Sequence, residues 1–415
     1  MSTTRLLPYR VLDLTDEKGF FCGKILADMG AEVIKVERPG GDRARNIQPF
    51  YHHVPHPEKS LHWFAYNLNK KAITLDIETS DGREIFKRLV KSADFVIESF
   101  PVGYLESLGL GYPVLSAVNP SIIVTSITPY GQQGPYKDYQ ASDITLLAMG
   151  GFLYITGYPD RPPVRISFPQ SWLLAGSSAA AATMIAHYHR QTTGEGQHVD
   201  VSIQASITWV ITNTIPLWEL DRTNLTRKGS VLSGRFGTIK QRILWHCRDG
   251  FVAYVIFGGR LGVSMGNCPL ARWIDEEGIA DDFLKEFDWE SYDLAISTQE
   301  TQSRLEAYAE KLFLRYTKLE LYQEGLKRDI KIFPVYSPKD MLNDPQLLSR
   351  DFWVRVEHPE LNETVTYPGS FFRMSEYAPG VPRRAPLIGE HNREVYQQLG
   401  ISDEQLIQLK QANVI

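Results

Sequence analysis

The chain has 415 residues, a length that favours one large domain with a smaller one over a single compact core. With 43% hydrophobic and 22% charged residues and a net charge of −5, it has the composition of a globular protein and no basic footprint for nucleic acid. Its three cysteines, Cys22, Cys247 and Cys268, form no CxxC pair, which argues against both a disulfide framework and a zinc site.

The first part of the chain alternates short apolar runs with helical patterns. Residues 1–15 contain no signal-peptide core, and no later apolar run is long enough to span a membrane, so we expect a cytoplasmic protein with no membrane partner. Gly30 is a good stop for the first helix. The predicted strands are 9–15, 31–36, 94–98 and 121–127, and the predicted helices are 20–29 and 81–91. This alternation predicts an α/β fold with a parallel, doubly wound sheet.

The clearest helix is predicted over residues 171–190. Ser171 is a plausible N-cap, and Gly194 follows the end closely. The middle of this helix, residues 175–182, consists of small side chains, which allow close approach of another backbone or a ligand. A further strand is predicted at 197–202.

The character of the sequence changes near residue 217. Residues 217–237 are polar and rich in glycine, serine, asparagine and arginine, which predicts a linker. A smaller unit is predicted over 238–331, with a strand pair that turns at Asp249–Gly250 and with acidic helices after it. From residue 333 the chain is proline-rich and extended, and it closes on a polar helix at 402–415.

The turn after the first strand excludes two common nucleotide sites. Residues 15–20 contain one glycine, Gly19, whereas a dinucleotide-binding turn needs GxGxxG. No GxxxxGK[ST] motif occurs in the chain, so a P-loop is also unsupported. The sheet is therefore of Rossmann type without the cofactor code, and fold alone does not give the function.

Short motifs along the whole chain carry a family resemblance. They are VLDLT at 11–15, CGKILADMGAEVIKVERPGGD at 22–42, NLNKK at 67–71, LD at 75–76, ESF at 98–100, LESLGLGY at 105–112, TGEGQHVDVS at 193–202, NDPQ at 343–346, HPE at 358–360 and APLIGEH at 385–391. In this order they resemble the class III CoA-transferase family, of which formyl-CoA transferase is typical. Each motif is weak alone, and the set is highly specific.

The resemblance implies an architecture that pattern alone does not give. Members of the family have a Rossmann-like large domain built from N- and C-terminal parts, a smaller inserted domain, and ring-shaped subunits in an interlocked dimer. Applied to this chain, it implies a large domain from 1–216 and 332–415, a linker at 217–237 and a small domain at 238–331.

The resemblance also implies contacts to coenzyme A, which is a substrate here; no covalently bound cofactor and no metal are implied. CoA has phosphates that favour arginine or lysine. The implied CoA contacts are Glu17, Lys18, Arg38, Leu75, Ser99, Phe100, Pro101, Gln140 and Asp143. Two of them have simpler interpretations: Arg38 as an exposed arginine paired with an acid, and Asp143 as a helix N-cap.

Three positions depart from the family pattern. Lys18 stands where a small residue is usual, Ser107 where many relatives have a phosphate-facing arginine, and Glu78 where lysine is common. Each change removes or alters a group that would favour CoA. The sequence therefore predicts weakened CoA binding by this chain.

The largest departure concerns the catalytic residue. Family members use an aspartate four residues before a glycine of the small-residue helix, and here that position, counted from Gly176, is Trp172. The spacing from Gly157 to Gly176 matches the family without a gap, and residues 169–173 include no acid. We therefore expect no catalytic residue in this chain. The alternative is a relocated carboxylate, Asp143 or Asp160.

A chain with the family's motifs but without its nucleophile suggests a heteromer. Some members, such as succinyl-CoA:benzylsuccinate CoA-transferase, pair two related subunits of which one carries the aspartate, and this chain is most similar to the subunit without it. Its expected partners are a homologous Asp-bearing subunit, an acyl-CoA and a carboxylic acid. The alternatives are a non-enzymatic acyl-CoA-binding or scaffold protein and an acyl-CoA racemase, although the racemase aspartate also aligns with Trp172.

Overall fold

The computed structural model describes residues 8–233, 239–376 and 382–415. These residues form two compact units, with the second inserted into the chain of the first. The first unit takes in the described residues of Met1–Leu153, Arg165–Asn224 and Pro345–Ile415, and the second those of Tyr154–Val164 and Leu225–Asp344. The first unit thus combines N- and C-terminal parts of the chain.

A six-stranded parallel sheet forms the centre of the first unit. Its strands are β1 (Arg10–Leu14), β2 (Glu32–Glu37), β3 (Lys71–Thr74), β4 (Phe95–Glu98), β5 (Ile123–Thr128) and β6 (His198–Ser202). They lie in the order β3-β2-β1-β4-β5-β6, and every neighbouring pair is parallel. The predicted doubly wound sheet is confirmed, with the reversal of strand order between β1 and β4.

Helices cover both faces of this sheet because alternate strand residues point to opposite sides. Leu12, Ile34 and Val96 belong to one apolar cluster and Val11, Val33 and Phe95 to the other. The helices are α1 (Phe20–Asp28), α2 (Leu61–Tyr66), α3 (Ser80–Val90), α4 (Tyr104–Ser107), α5 (Tyr112–Val118), α6 (Asp143–Met149), α7 (Ser171–Thr193), α8 (Ile203–Val210) and α9 (Thr214–Asp221).

The long helix α7 corrects one prediction. Its N-cap is Gln170, and Ser171 is the first helical residue rather than the cap. The Ser171 hydroxyl donates to the carboxylate of Asp143, which takes over the role of the cap. At the other end, Gly194 ends the helix with a left-handed φ of 77°, as expected.

The second unit has its own apolar core. Its elements are β7 (Val231–Ser233), β8 (Lys240–Arg242), β9 (Leu244–Cys247), β10 (Gly250–Ala253), α10 (Gly259–Met265), α11 (Asn267–Glu276), α12 (Asp282–Lys285), α13 (Gln299–Phe313), α14 (Lys318–Arg328), β11 (Phe333–Val335) and α15 (Pro338–Leu342). The predicted strand pair corresponds to β9 and β10, which are antiparallel. Strand β11 also pairs with β10, so this unit extends past the boundary predicted at residue 331.

The predicted linker at 217–237 begins inside α9, because Leu217 and its neighbours continue that helix. Residues 234–237 of the linker, and Thr238 at the start of the predicted small domain, lie outside the described residues.

The C-terminal part returns to the first unit. It forms α16 (Pro345–Ser349), β12 (Trp353–His358), β13 (Glu363–Pro368), α17 (Asn392–Gln398) and α18 (Asp403–Gln411). Val395, Tyr396 and Ile401 pack into the cluster on the face of the sheet that holds Leu12. The apolar core on this face of the N-terminal sheet is therefore completed by residues from the end of the chain.

A buried arginine joins these two parts of the chain. Arg45 donates to both carboxylate oxygens of Glu37 at 2.6 and 2.7 Å and to Glu58 at 2.7 Å. It also donates to the carbonyl of Pro386 at 3.0 Å and lies over the ring of Trp63. The arginine is fully buried, so its charge is balanced within the protein.

Candidate functional site

Most of the candidate CoA contacts lie at one edge of the first unit. In a parallel sheet the carboxyl ends of all strands meet at the same edge, and ligands of such sheets bind there, near the point where strand order reverses. The loops that leave this edge carry Glu17 and Lys18 after β1, Arg38 after β2, Leu75 after β3, and Ser99, Phe100 and Pro101 after β4. The structure thus brings seven of the nine candidates to one edge.

Two hydrogen bonds join the loop after β1 to the loop after β4, at the point where the strand order reverses. The Asp16 amide donates to Ser99 Oγ at 2.8 Å, and Ser99 Oγ donates to Asp16 Oδ1 at 2.7 Å. Lys18 forms an ion pair with the same carboxylate. Burial, and then the neighbouring Asp16, raise the pKa of Glu17. The β1 loop is thus acidic, and its one lysine is already neutralised.

Arg38 has two side-chain partners. Its guanidinium donates to Glu78 Oε1 at 2.6 Å and to the Tyr104 hydroxyl at 3.1 Å. The Tyr104 hydroxyl donates to the same Glu78 oxygen at 2.7 Å. The contacts match the simpler interpretation of Arg38 as an exposed arginine paired with an acid.

The remaining candidates differ in how a ligand could reach them. Leu75 is buried in the core, so only its backbone could meet a ligand. Phe100 is half-buried against the ring of Tyr104, with 4.6 Å between the ring centroids, while Pro101 and Gln140 are exposed. Leu75 is thus a packing residue in this structure.

Asp143 belongs to α6, but its side chain accepts hydrogen bonds from the N-terminal end of α7. Ser142 caps α6 through a capping box with Thr145, so the Asp143 side chain is free to reach α7. Its Oδ1 accepts from the amides of Gln170 and Ser171 at 2.8 and 3.0 Å, and from Ser171 Oγ at 2.7 Å. A carboxylate at this end of a helix is favoured by the helix dipole. The other oxygen, Oδ2, is buried and has no hydrogen-bond partner in the described structure.

Trp172 follows Ser171 as the second residue of α7. Its half-buried side chain packs against the core between the sheet and α7. One turn later, a Cβ atom at Gly176 would lie 2.8 Å from Phe21 Cβ, so α7 touches the first turn of α1. This contact places the start of α7 beside the loop that follows β1. The position four residues before Gly176 therefore lies at the edge that holds the candidates, and it carries an indole instead of a carboxylate.

The two alternative carboxylates occupy contrasting places. Asp143 is 7% exposed, and one of its oxygens already has three donors, which lowers its nucleophilicity. Asp160 is exposed and belongs to the second unit. Neither lies at position 172, where the resemblance implies the nucleophile.

A small cleft beside β4 and β5 contains an acid that sequence reasoning missed. Glu98, the last residue of β4, is buried, and its carboxylate accepts from the Phe100 amide at 2.7 Å. The cleft also contains Ser126, whose hydroxyl is 2.9 Å from His198 Nε2. Burial raises the pKa of Glu98 to about 7. The available signal was an acid that ends the apolar strand sequence FVIE.

This raised pKa predicts a pH dependence of stability. In the unfolded chain Glu98 titrates near 4.5, so between pH 4.5 and 7 the folded protein holds a proton that the unfolded chain has released. Stability should therefore fall as pH rises through this window. Glu98→Gln should remove that dependence and raise the free energy of unfolding at pH 8 by about 3 kcal/mol. Each unit by which folding shifts a pKa corresponds to about 1.4 kcal/mol.

Urea denaturation of both proteins from pH 5 to pH 8 measures this effect. The control is Glu404→Gln, which removes the same charge from an exposed position on α18. Equal pH profiles for the wild type and the Glu98 variant would contradict the prediction.

Residues 8–233, 239–376 and 382–415 offer neither a metal site nor a membrane-spanning helix. No group of three or more histidine, cysteine or acidic residues there could hold a metal ion. No helix in this part of the chain is long and apolar enough to cross a membrane. Cys22, Cys247 and Cys268 are free thiols.

Comparison with known proteins gives consistent matches over nearly the whole chain. The model of CoA-transferase family III matches residues 8–392. Succinyl-CoA:(R)-benzylsuccinate CoA-transferase subunit BbsE of Thauera aromatica is 36% identical over 399 residues, which are 94% of this chain and 93% of that protein. Succinyl-CoA–D-citramalate CoA-transferase of Chloroflexus aurantiacus is 32% identical, over 96% of this chain and 94% of that protein.

The solved structures agree with the fold. A CAIB/BAIF family protein from Brucella suis matches with a TM-score of 0.82 and 27% identity, over 96% of this chain and all of that one. The structure of Rv3272 from M. tuberculosis matches with a TM-score of 0.73 and 25% identity, over 94% of this chain and 99% of that one.

Proposed function

The chain belongs to CoA-transferase family III, and from this premise we propose that it is the non-catalytic subunit of a heteromeric CoA-transferase. The enzyme would move CoA from an acyl-CoA to a carboxylic acid. The observation that carries the proposal is Trp172, which stands at the start of α7 where the family has its nucleophilic aspartate. Three free cysteines fit a reducing compartment such as the cytoplasm.

The chemistry requires a carboxylate. In the family reaction an aspartate attacks the acyl-CoA thioester, which gives a mixed anhydride and the CoA thiolate. The thiolate then attacks the aspartyl carbonyl of the anhydride, which releases the first acid and leaves an aspartyl-CoA thioester. The acceptor acid attacks that thioester and expels the CoA thiolate, which leaves a second mixed anhydride. Attack by this thiolate on the acceptor carbonyl of the anhydride forms the new acyl-CoA and frees the aspartate. An indole can form no acyl anhydride, so the aspartate must come from the partner.

The names of the relatives support the choice of donor. Both of the relatives described above are named as succinyl-CoA transferases, and BbsE is named as a subunit. We therefore propose succinyl-CoA as the donor and an organic acid such as benzylsuccinate as the acceptor. The nine candidate residues at and near the sheet edge are our proposal for CoA contacts.

A partner would cover an apolar surface of the first unit. No residue of α9 is buried, and several large apolar side chains on α7, α8 and α9 are exposed. They include Ile185, Tyr188, Trp209, Val210, Ile215, Trp218 and Leu220, with exposures from 42% to 82%. Apolar surface of this kind marks interaction sites. It supports assembly with a homologous Asp-bearing subunit, and we propose the interlocked arrangement of the family.

Reconstitution tests the proposed function. The chain is purified alone and then mixed with the Asp-bearing relative encoded nearest to it, and succinyl-CoA-dependent transfer is measured for a panel of acids including benzylsuccinate. We expect activity only in the mixture, together with co-elution of the two chains. Replacing the partner's nucleophilic aspartate with asparagine should abolish that activity. Activity of this chain alone would overturn the proposal, and binding of acyl-CoA without transfer in any mixture would favour a scaffold.

A further inference from the structure

The contacts of Arg38 connect three loops of the candidate edge. Arg38 follows β2, Glu78 follows β3, and Tyr104 begins α4 after the β4 loop. Glu78 Oε1 accepts from both the guanidinium and the phenol, at 2.6 and 2.7 Å. We call these three residues the Arg38 clamp. Both contacts of Arg38 use Nη2, so the Glu78 carboxylate lies beside the guanidinium to which a phosphate would bind.

The clamp is fixed by its surroundings, although Arg38 and Glu78 are about half exposed. The Glu78 amide donates to Asp76 Oδ1 at 2.9 Å, and Arg83 donates to the Glu78 carbonyl at 2.7 Å. The ring of Tyr104 packs on Phe100. These hydrogen bonds fix the backbone of Glu78, while its exposed side chain still loses rotamer freedom in the ion pair with Arg38.

The charge of this edge is unfavourable for a polyanion. Each cation among the candidate contacts has an acid of the same chain as its partner: Lys18 pairs with Asp16, and Arg38 with Glu78. The hydrogen bond from Tyr104 and the charge of Arg38 lower the pKa of Glu78, which therefore stays ionised at neutral pH. A CoA phosphate at Arg38 would have to lie close to the Glu78 carboxylate, which repels it.

We propose that Glu78 sets the affinity of this chain for CoA, because it is a built-in carboxylate that competes with a CoA phosphate for Arg38. The inference rests on the proposed function, since it takes the sheet edge as the CoA site. Glu78 is thus a specificity-determining residue. Glu78 lowers the affinity of this chain for CoA, so that CoA binds to the partner subunit instead.

Direct binding measurements test the competition. Isothermal titration of the full-length chain with CoA compares the wild type, Glu78→Gln and Glu78→Lys. We expect about tenfold tighter binding for Glu78→Gln, since it removes one negative charge within about 5 Å of the phosphate, and tighter binding still for Glu78→Lys. The matched control is Glu84→Gln, which removes an exposed acid paired with Lys87 on the neighbouring helix α3. It should change the affinity by less than about twofold, because its charge is exposed to solvent and already paired with Lys87.

A ligand without phosphate separates this effect from a general change of the site. Pantetheine should bind the wild type and Glu78→Gln equally. Equal CoA affinities for the wild type and both Glu78 variants, an equal gain for pantetheine, or no CoA binding by any folded variant would overturn the inference. Thermal melting confirms that each variant is folded. The reconstitution experiment tests the proposed function independently of these binding measurements, because activity of the mixture does not require this chain to bind CoA.

Discussion

Replacing Trp172 with aspartate is expected to give this chain a covalent CoA intermediate that the wild type does not form. The new carboxylate would stand at the second helical position of α7, where the helix dipole favours the ionised form. It would also lie beside the loop after β1, because Gly176 packs against α1 one turn later. Removal of the indole would open space for the acyl group.

Mass spectrometry measures the result after incubation with a high concentration of succinyl-CoA. Trypsin should release residues 166–190 as one peptide, since no lysine or arginine interrupts it, and the adduct on this peptide should be removed by hydroxylamine. Trp172→Asn is the matched control, because it has the same size without a nucleophile. A double variant with Glu78→Gln should form the adduct at lower succinyl-CoA concentration. An adduct on the wild-type chain would show that the catalytic carboxylate lies elsewhere.

Replacing Arg45 with methionine is expected to lower the free energy of unfolding by about 3–5 kcal/mol. The variant would leave the buried carboxylate of Glu37 without its two charged hydrogen bonds and would remove the bond to Pro386. An uncompensated buried charge costs far more than the lost contact itself. The C-terminal part should lose its attachment first, since Pro386 lies there.

Urea denaturation, together with limited proteolysis of the C-terminal part, measures this effect. Arg373→Met is the control, because Arg373 is exposed and pairs with the exposed Asp351. It should cost less than about 1 kcal/mol, as surface ion pairs do. An equal decrease in the free energy of unfolding of both variants would show that the effect of Arg45→Met does not depend on the burial of Arg45.

Local sequence signals were sufficient for most of the fold. The apolar runs predicted the four strands β1, β2, β4 and β5, because buried parallel strands read as largely hydrophobic segments. The edge strand β6 was predicted as well, although its sequence, HVDVS, alternates polar and apolar residues. Gly30 and Gly194 marked helix ends, and both have left-handed φ angles of 97° and 77°. The acidic stretch at 274–287 became two helices, α11 and α12, separated at Gly278. A pattern of period 3.6 does not by itself show such a break.

The charged partners in the candidate site could not be predicted in this way. Asp143 meets α7 across 28 positions of the chain, and Arg38 meets Tyr104 across 66. No local periodicity encodes such pairs, because they depend on which loops the sheet order brings together. The resemblance to a family supplied the positions of Trp172 and the candidate contacts and marked Glu78 as a departure. The pairing of Glu78 with Arg38, and of Asp16 with Lys18, became visible only in the structure. The assignment of those contacts to CoA stays a prediction.

The insertion of one unit into the chain of the other has a consequence for biosynthesis. When the ribosome has completed residue 224, the first unit still lacks Tyr396 and the other C-terminal residues of its core. The 120 residues 225–344 must be made before they arrive, which takes roughly 6–24 s at 5–20 residues per second. During that delay the sheet exposes an apolar face, because the C-terminal residues of its core have not yet been made. Nascent chains stalled in this interval are therefore expected to bind chaperones, and slower or interrupted translation should direct this protein toward aggregation.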